Sequence, residues 1–361
     1  MTARTTGTVR IVGAGLLGSS IGHALVALGV DVVLADASRS ALRLALDYGA
    51  GRAEAADDRP GLVVVAVPPD AAADVVAAEL ATWPDATVTD VASVKRGVLA
   101  ELRTAGAAIE RYVGSHPMAG RERGGPVAAR ADLFLGRPWV IAAPPESALE
   151  GVRRVEALAL DLGAVPTTLS AAAHDDAVAL VSHVPQLVST LLARRLLDAP
   201  DEAVSLAGPG LRDTTRIAAS DPGLWVQILA LNATPVAEQL RAFRDDLDRA
   251  LAALADPDAP GARRALAELL ADGGSGVARI PGKHGQSKRF STITVLVEDR
   301  PGELARLLTE IGELGVNMED LRLEHSPGAQ VGLAEIAVLP EVEQRLIDEL
   351  LTRGWQLGAA E

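Results

Sequence analysis

A glycine-rich turn near the N-terminus constrains the fold of this chain more than any other feature. Gly13, Gly15 and Gly18 have the spacing G-x-G-x-x-G within VRIVGAGLLGSSIGHAL at residues 9–25, between a strand-like run and a helix-like run. In that setting the first glycine permits a tight turn, the second lets a pyrophosphate approach the backbone, and the third lets the helix pack closely on the strand. The pattern predicts a βαβ unit that binds a dinucleotide at the N-terminus of its helix.

Short apolar runs alternate with helical stretches from residue 8 to residue 170. The runs are almost continuously apolar, which is typical of strands that are covered on both faces. The alternation predicts a fold of the α/β class, a Rossmann-like doubly wound parallel sheet over residues 1–170. The predicted strands are residues 8–15, 31–36, 62–69, 86–93, 137–144 and 164–170.

The second predicted strand ends in Asp36, which is the expected ligand of the adenosine ribose. Its carboxylate would repel a 2′-phosphate, so the sequence favours NAD over NADP, although Arg39 close by is compatible with NADP. Ligands of open parallel sheets lie beyond the carboxyl ends of the strands. Further cofactor contacts are therefore expected at Leu16, Leu17, Val67 and Pro68.

The pattern becomes helical after the predicted sheet. Residues 171–272 are expected to form an all-α helical domain, with kinks at Pro185 and Pro235 and a helix that starts at Asp221. Residues 273–288, rich in glycine, are expected to be a linker. The β-α-β-β-α order of residues 289–361 predicts a small α+β domain.

Composition excludes several classes of function. The net charge of -14 argues against binding to nucleic acid or to an anionic membrane. The chain has no cysteine, which rules out disulfides and cysteine-ligated metals, and no histidine or carboxylate spacing predicts any other metal site. No apolar run is expected to span a bilayer, the longest being runs such as LVVVAV at residues 62–67. We expect a cytoplasmic protein.

The stretch GSHPMAG at residues 114–120 places His116 after another apolar run, at the expected ligand edge of the sheet. A loop is expected here, in which Gly114 and Ser115 leave room for a ligand. A histidine at this place can accept a hydroxyl proton while hydride leaves a carbinol carbon, but an incidental histidine in a surface turn is the alternative. Ser93 is expected at the nicotinamide end of the cofactor, and an equally good explanation is the N-cap of the next helix.

Polar side chains of the helical region offer further candidates. Arg212 and Arg216 are four residues apart, so on one helix they would share a face and could clamp a carboxylate. A salt-bridged surface is the alternative. His174 and His183 lie in a mostly apolar helix, where a satisfied core position is the commoner explanation for a histidine.

Five stretches together resemble the prephenate/arogenate dehydrogenases of tyrosine biosynthesis over about residues 8–272. They are GAGLLGSS, DVASVK, GSHPMAG, SHVPQ and GPGLRDTTRIAASDPGLW, in this order. The GSHPMAG and RDTTRIAASDPGLW stretches are specific to the family, whereas the glycine loop is not. Residues 289–361, with EDRPGELARL and GVNMEDL, resemble an ACT domain, which is a small ligand-binding regulatory module.

The resemblance implies NAD-dependent oxidative decarboxylation of prephenate to 4-hydroxyphenylpyruvate. His116 matches the histidine that accepts the hydroxyl proton, and Ser93 matches the serine that holds the hydroxyl and the histidine in place. Arg216 matches the arginine that binds the substrate carboxylate, with Arg212 beside it. Glu122 matches an acidic residue that helps to gate the site.

The resemblance also leaves the substrate open. His183 matches the first histidine of a SHLPH-like pattern, but Gln186 stands where several prephenate-using relatives have a second histidine. Arogenate, which would give tyrosine directly, is therefore the alternative substrate. The ACT resemblance implies an aromatic amino acid effector near Gly302 and Asn317, and the apolar helical region predicts a homodimer.

Two other classes of protein are less well supported. A non-catalytic sensor of NAD and an amino acid would not need a base, a hydroxyl and a carboxylate clamp. A β-hydroxy acid dehydrogenase of similar plan would be expected to carry a lysine on its helical domain. No lysine occurs between Lys95 and Lys283.

Overall fold

The computed structural model describes residues 2–120, 124–280, 290–325 and 331–358, with only the backbone described at 324 and 325. The chain forms two compact units. The first consists of residues 1–199 and 214–243, and the second of residues 200–213 and 244–361.

An eight-stranded sheet forms the centre of the first unit. Its strands are β1 Val9–Val12, β2 Val32–Ala35, β3 Arg52–Ala53, β4 Leu62–Val65, β5 Thr87–Asp90, β6 Tyr112–Pro117, β7 Pro138–Ala142 and β8 Val165–Thr168. They lie in the order β3-β2-β1-β4-β5-β6-β7-β8, and strands β1 to β6 are parallel. This arrangement confirms the Rossmann-like sheet, since strand order 3-2-1-4-5-6 is that of dinucleotide-binding folds.

The last two strands correct the prediction of a wholly parallel sheet. Strand β7 is antiparallel to β6, and β8 is parallel to β7. The chain returns from β6 to β7 at the same end of the sheet, where the amide of Met118 donates to the carbonyl oxygen of Pro138 at 2.8 Å. An antiparallel neighbour needs no crossover helix, so this return is possible without one.

Helices cover both faces of the sheet. They are α1 Leu16–Ala27, α2 Arg39–Asp47, α3 Ala72–Thr82, α4 Arg96–Thr104 and α5 Leu149–Asp161. One buried cluster contains Ile11, Phe134 and Trp139, and a second contains Val88 and Tyr112. Strands β4 and β5 are buried along their whole length, which explains the unbroken apolar character of β4.

The helical region follows after residue 170. Its helices are α6 Ala171–Val178, α7 Val184–Arg194, α8 Asp201–Ser205, α9 Pro209–Thr215, α10 Pro222–Leu231, α11 Ala233–Ala255 and α12 Ala262–Val277. The side chain of Asp221 caps α10 by accepting from the amide of Gly223 at 2.7 Å, as predicted. The expectation of a linker over residues 273–288 is wrong for residues 273–277, because α12 continues through three glycines to Val277.

Both prolines that were expected to kink helices do interrupt them. Residues Ala179–His183 form a π-helical turn before Pro185, and α10 ends at Leu231, four residues before Pro235. Proline cannot donate the i to i−4 hydrogen bond, and its ring crowds the carbonyl group of residue i−4. At the second interruption, Asn232 lies between two helices as the C-cap of α10.

One run of described residues, Ala171–Asp198, is long and apolar enough by length and composition to cross a membrane. By that criterion the expectation that no run is long enough is wrong. His174, Asp175 and His183 in this run are each at most 1% exposed, and they make hydrogen bonds within the first unit. The run therefore lies against the sheet-bearing part of the chain through its polar residues.

The C-terminal residues form a four-stranded antiparallel sheet in the order β10-β11-β9-β12. Its elements are β9 Ser291–Glu298, α13 Glu303–Glu313, β10 Asp320–His325, β11 Val331–Val338, α14 Pro340–Thr352 and β12 Gln356–Leu357. The predicted β-α-β-β-α order is present, with the short strand β12 added at its end. Ile293, Val295, Leu307 and Leu346 belong to the core between the sheet and its two helices.

Candidate active site

The glycine-rich turn between β1 and α1 has three different local requirements. Gly13 has a φ of 106°, and a Cβ there would lie 2.3 Å from the carbonyl oxygen of Ala66. A Cβ on Gly18 would lie 1.9 Å from the carbonyl oxygen of Gly13, so α1 can approach the turn only because residue 18 is glycine. A Cβ on Gly15 would meet no described atom within 4 Å. The open side of the turn is therefore at the N-terminus of α1, where a pyrophosphate fits.

Asp36 is held at the same edge by backbone donors. Its Oδ2 atom accepts from the amide of Ala14 and its Oδ1 atom accepts from the amide of Ser38, both at 2.6 Å. A carboxylate can accept further bonds, so the side chain remains suited to ribose hydroxyls. The other four expected cofactor contacts follow strands β1 and β4 in the chain. Leu16, Leu17 and Val67 are half-buried, and Pro68 is exposed.

His116 lies in strand β6 rather than in a loop, which corrects the prediction for GSHPMAG. The expectation that Gly114 and Ser115 leave room for a ligand is also wrong. Ser115 is fully buried, and its hydroxyl donates to the carbonyl oxygen of Asp90 at 2.9 Å. The space beside Gly114 contains protein atoms, including the hydroxyl of Tyr112.

Two residues of helix α6 form a hydrogen-bonded chain to His116. The Nδ1 atom of His116 lies 2.9 Å from Nε2 of His174, and Nδ1 of His174 lies 2.7 Å from Oδ1 of Asp175. A carboxylate only accepts, so Nδ1 of His174 carries the proton and its Nε2 accepts when the ring is neutral. Nδ1 of His116 must then be the donor, which leaves Nε2 of His116 with a free lone pair.

The surroundings of this chain favour a neutral His116 and an ionised Asp175. Burial lowers the pKa of His116 well below 6.5, and the neighbouring His174, Lys95 and His183 lower it further. Burial alone would raise the pKa of Asp175, but hydrogen bonds from His174 and from the amides of Arg96 and Lys95 lower it. His116 is thus available as a base.

Ser93 lies in the turn between β5 and α4 and is half-buried. The residue at the N-cap position of α4 is Lys95, so the capping explanation for Ser93 does not hold. The amides of Lys95 and Arg96, at the start of α4, donate instead to the two carboxylate oxygens of Asp175, each at 2.8 Å. Among the described residues, the Ser93 hydroxyl has no hydrogen-bond partner, which leaves it available to a ligand.

His183 is positioned by the interruption after α10. The Nδ2 atom of Asn232 lies 3.1 Å from Nδ1 of His183 and donates to the carbonyl oxygen of Asp175 at 2.8 Å. Burial lowers the pKa of His183 to about 4, with Asp175 acting to raise the pKa and His174 acting to lower it. Trp225 contacts the ring edge-on at a centroid distance of 5.9 Å. Gln186, one turn further on, is 6% exposed.

The two arginines do not share a helix. Arg212 lies in α9, which ends at Thr215, and Arg216 begins a 3-10 turn over Arg216–Ala219. The prediction of one common helical face is therefore wrong, because the backbone tightens between the two residues. Both side chains are exposed, and the turn that carries Arg216 packs against α7. Glu122 lies outside the described residues.

Comparison with known proteins identifies the family of this chain. The nucleotide-binding domain model of prephenate dehydrogenase matches residues 21–168, and the dimerization domain model of prephenate dehydrogenase matches residues 170–271. The probable prephenate dehydrogenase NovF of Streptomyces niveus is 38% identical over 358 residues, which cover 96% of this chain and 98% of the relative. The chain belongs to the prephenate dehydrogenase family.

Solved structures of the prephenate dehydrogenase family share the fold. The crystal structure of prephenate dehydrogenase from Aquifex aeolicus with hydroxyphenyl propionate and NAD+ is 25% identical, with a TM-score of 0.67 over 75% of this chain and 98% of that chain. Arogenate dehydrogenase from Synechocystis is 24% identical, with a TM-score of 0.62 over 74% of this chain and 99% of that chain. The match to the nucleotide-binding domain and the Aquifex aeolicus structure with NAD+ support NAD as the cofactor.

In this prephenate dehydrogenase family member, the site contains residues that sequence reasoning missed. The sequence predicts a satisfied core residue at His174 and no role for Asp175. The signal available was the pair His-Asp in the first turn of α6, shortly after the last strand of the sheet. It did not suffice, because 58 residues separate His116 from His174 and only the fold brings them together.

Proposed function

We propose that this chain catalyses the NAD-dependent oxidative decarboxylation of prephenate to 4-hydroxyphenylpyruvate in tyrosine biosynthesis. The observation that carries the proposal is the chain Asp175–His174–His116, which presents one unprotonated nitrogen at the ligand edge of the sheet. Membership of the family and the extensive match to the relative NovF support the choice of reaction.

The residues of this chain would handle the proton. NAD, bound at the glycine-rich turn, supplies the acceptor for the hydride that leaves C4 of the ring. Nε2 of His116 accepts the proton of the C4 hydroxyl, and His174 and Asp175 stabilise the resulting positive charge. As the bond to the ring carboxylate breaks, carbon dioxide leaves and its electron pair makes the ring aromatic. The C4 oxygen then takes a proton back and becomes the phenol.

Three other residues complete the proposed site. The half-buried hydroxyl of Ser93 would hold the substrate hydroxyl next to His116, since it is not needed as a helix cap. Arg216 would bind a substrate carboxylate, and Arg212 is a second candidate for the same role. Glu122 is proposed to gate the site.

A direct assay tests the reaction and the substrate. The protein is mixed with NAD and with prephenate or arogenate, and the absorbance of the reduced cofactor is followed. We expect turnover with prephenate and a lower kcat/KM with arogenate, because Gln186 and His183 are both buried and neutral at the expected substrate side chain. Turnover with arogenate alone would identify arogenate as the substrate. Absence of turnover with either compound would favour a non-catalytic sensor of NAD and an amino acid.

The C-terminal residues are proposed to form an ACT-like regulatory domain that binds an aromatic amino acid. Gly302 has a φ of 95° at the N-cap of α13, and Asn317 donates to Glu319 at 2.9 Å before β10. The effector is proposed to bind at these two positions, the strand–helix turn and the start of the second strand. Isothermal titration calorimetry with tyrosine should show saturable binding that Gly302→Val weakens. A heat signal no larger than dilution for tyrosine and phenylalanine would contradict an effector role.

The chain is further proposed to act as a homodimer in the cytoplasm. Its residues 170–271 match a dimerization domain, and it is acidic and free of cysteine. A homodimer of this kind would have two-fold symmetry.

A further inference from the structure

The buried lysine beside the site has no part in the function proposed above. Lys95 is 1% exposed and is one of three lysines in the chain. Its ammonium group forms an ion pair with Oδ1 of Asp90, which is fully buried at the end of β5. The hydroxyl of Tyr112 donates to Oδ2 of Asp90 at 2.6 Å, and the amide of Ala92 donates to Oδ1 at 2.9 Å. The carboxylate is thus satisfied on both oxygens.

The side chain of Lys95 crosses strand β6 at Gly114. A Cβ on Gly114 would lie 3.2 Å from Cδ of Lys95 and 2.9 Å from the hydroxyl of Tyr112. The glycine of GSHPMAG therefore makes room for the lysine stem, two residues before His116. Burial of an ammonium group costs free energy, and a partner such as Asp90 offsets only part of that cost. The buried position of Lys95 beside the site therefore calls for a functional explanation.

The backbone of Lys95 joins the same residue to the histidine chain. Its amide donates to Oδ1 of Asp175 at 2.8 Å, and the same oxygen accepts from His174, the partner of His116. Ser93 is two residues before Lys95 in the same turn. Lys95 therefore contacts two elements of the proposed site. Its side chain contacts β6, which carries His116, and its backbone contacts α6, which carries His174 and Asp175.

We propose that Lys95 is a positioning residue of the active site. Anchored by Asp90 and Tyr112, it holds the turn that carries Ser93 against the Asp175–His174–His116 chain and maintains a fixed positive charge behind His116. The proposal rests on the proposed function, since it assigns Lys95 a role toward the base of that reaction.

The charge of Lys95 has a defined direction of effect. Asp90 from β5 pairs with the Lys95 ammonium, Tyr112 from β6 shares that carboxylate, and Asp175 from α6 accepts from the Lys95 amide. The charged groups that act on His116 are Lys95, His174 and His183. A positive charge disfavours protonation of His116 and keeps it a base at lower pH. Removal of the charge should let His116 take up a proton at higher pH.

The test compares the pH profiles of kcat/KM for the unchanged protein and five variants. For Lys95→Met we expect kcat to fall by about tenfold and the acidic limb of the profile to move up by about one pH unit. NAD binding, measured by fluorescence titration, should change by less than about twofold, because the glycine-rich turn is intact. Lys95→Arg, which keeps the charge, should leave the limb where it is in the unchanged protein.

A single substitution leaves Asp90 unpaired, so two further variants keep the test decisive. Asp90→Asn with Lys95→Met removes both charges, and Gly114→Ala leaves all charged groups in place but pushes on the lysine stem. Both should lower kcat. Arg10→Met, which breaks a pair with Glu79 at 2.9 Å elsewhere in the same unit, should lower stability without moving the pH profile.

Two results would separate failure of this inference from failure of the proposed function. If His116→Asn is inactive while the Lys95 and Gly114 variants keep the kcat and pH profile of the unchanged protein, Lys95 has no positioning role. If His116→Asn itself turns over normally, His116 is not the base, and the proposed role of Lys95 toward that base is also wrong.

Discussion

At the scale of single residues, the state of His116 follows from the chemistry of its neighbours. A carboxylate can only accept, so Asp175 determines which nitrogen of His174 carries the proton, and His174 determines the same for His116. Burial keeps the ring neutral. The protonation state of His116 on β6 is thus set by His174 and Asp175 on α6.

Replacement of the base gives the most direct residue-scale prediction. His116→Asn should lower kcat by about a hundredfold or more while the Kd for NAD stays within about twofold, because the amide cannot accept the proton at neutral pH. Steady-state kinetics and a binding titration measure the two quantities. His23→Gln in α1 is the matched control, with kcat unchanged. Near-normal turnover of His116→Asn would rule the residue out as the base.

Buried histidines should also make stability depend on pH. Burial lowers the pKa of His183 from 6.5 to about 4. Below pH about 6.5 the unfolded chain binds a proton that the folded chain does not, so stability falls as the pH drops toward about 4. We expect a loss on the order of 2 kcal/mol from this residue across that window, measured by thermal unfolding at several pH values. For His183→Asn the decline should be shallower, and equal declines would contradict the assignment.

At the scale of elements, the glycine-rich turn and the interrupted helices place the chemistry. Gly18 lets α1 begin against the turn, and the π-helical turn before Pro185 presents His183 toward Asn232. Local backbone irregularities of this kind are frequent at functional sites. The geometry of the site therefore depends on where elements begin and break.

The glycines of the turn give an element-scale prediction with an internal contrast. Gly15→Ala should weaken NAD binding by about tenfold and leave the Tm within about 2 °C, because only the ligand side of the turn is open there. Gly18→Ala should also destabilise the protein by about 2 kcal/mol, since its Cβ would meet the carbonyl group of Gly13. Calorimetry and NAD titration measure both effects.

Gly22→Ala is the matched control for that contrast. Its Cβ would lie 2.1 Å from the carbonyl oxygen of Ala50, away from the turn. The variant should lose stability and keep its affinity for NAD. The interpretation of Gly15 would be wrong if Gly15→Ala bound NAD as tightly as the unchanged protein.

At the scale of the whole molecule, an apolar stripe on α11 suggests how two copies associate. Phe243, Leu247, Leu251 and Leu254 are spaced by three or four residues, so they share one helical face, and they are 45% to 59% exposed. The match of residues 170–271 to a dimerization domain includes all four. A surface of this kind is expected to be covered in the working protein.

Disruption of the stripe tests the homodimer. Leu251→Glu should convert the dimer to a monomer at micromolar concentration, because association would bury the new carboxylate without a partner. Light scattering coupled to size-exclusion chromatography measures the mass. Leu149→Glu, at an exposed leucine of α5, should remain dimeric. A monomeric unchanged protein, or a dimeric Leu251→Glu, would contradict this surface.

Local information sufficed for much of the fold. The G-x-G-x-x-G turn, the apolar strands, the cap at Asp221 and the breaks at Pro185 and Pro235 depend on neighbours in sequence, and the structure confirms each of them. The family followed from motifs of the same kind. The position of His116 at the ligand edge was predictable, because strand ends of a parallel sheet share one edge.

The tertiary structure alone decided which distant residues meet. The sequence by itself determined the cofactor turn and the identity of the candidate base, since both follow from residues that are close together in the chain. The partnership of His116 with His174, the reversal of β7, and the filling of the space at Gly114 by Lys95 depend on how helices and strands pack. Hydrogen bonds and close packing act over a few ångströms in space, whereas sequence patterns report only neighbours along the chain.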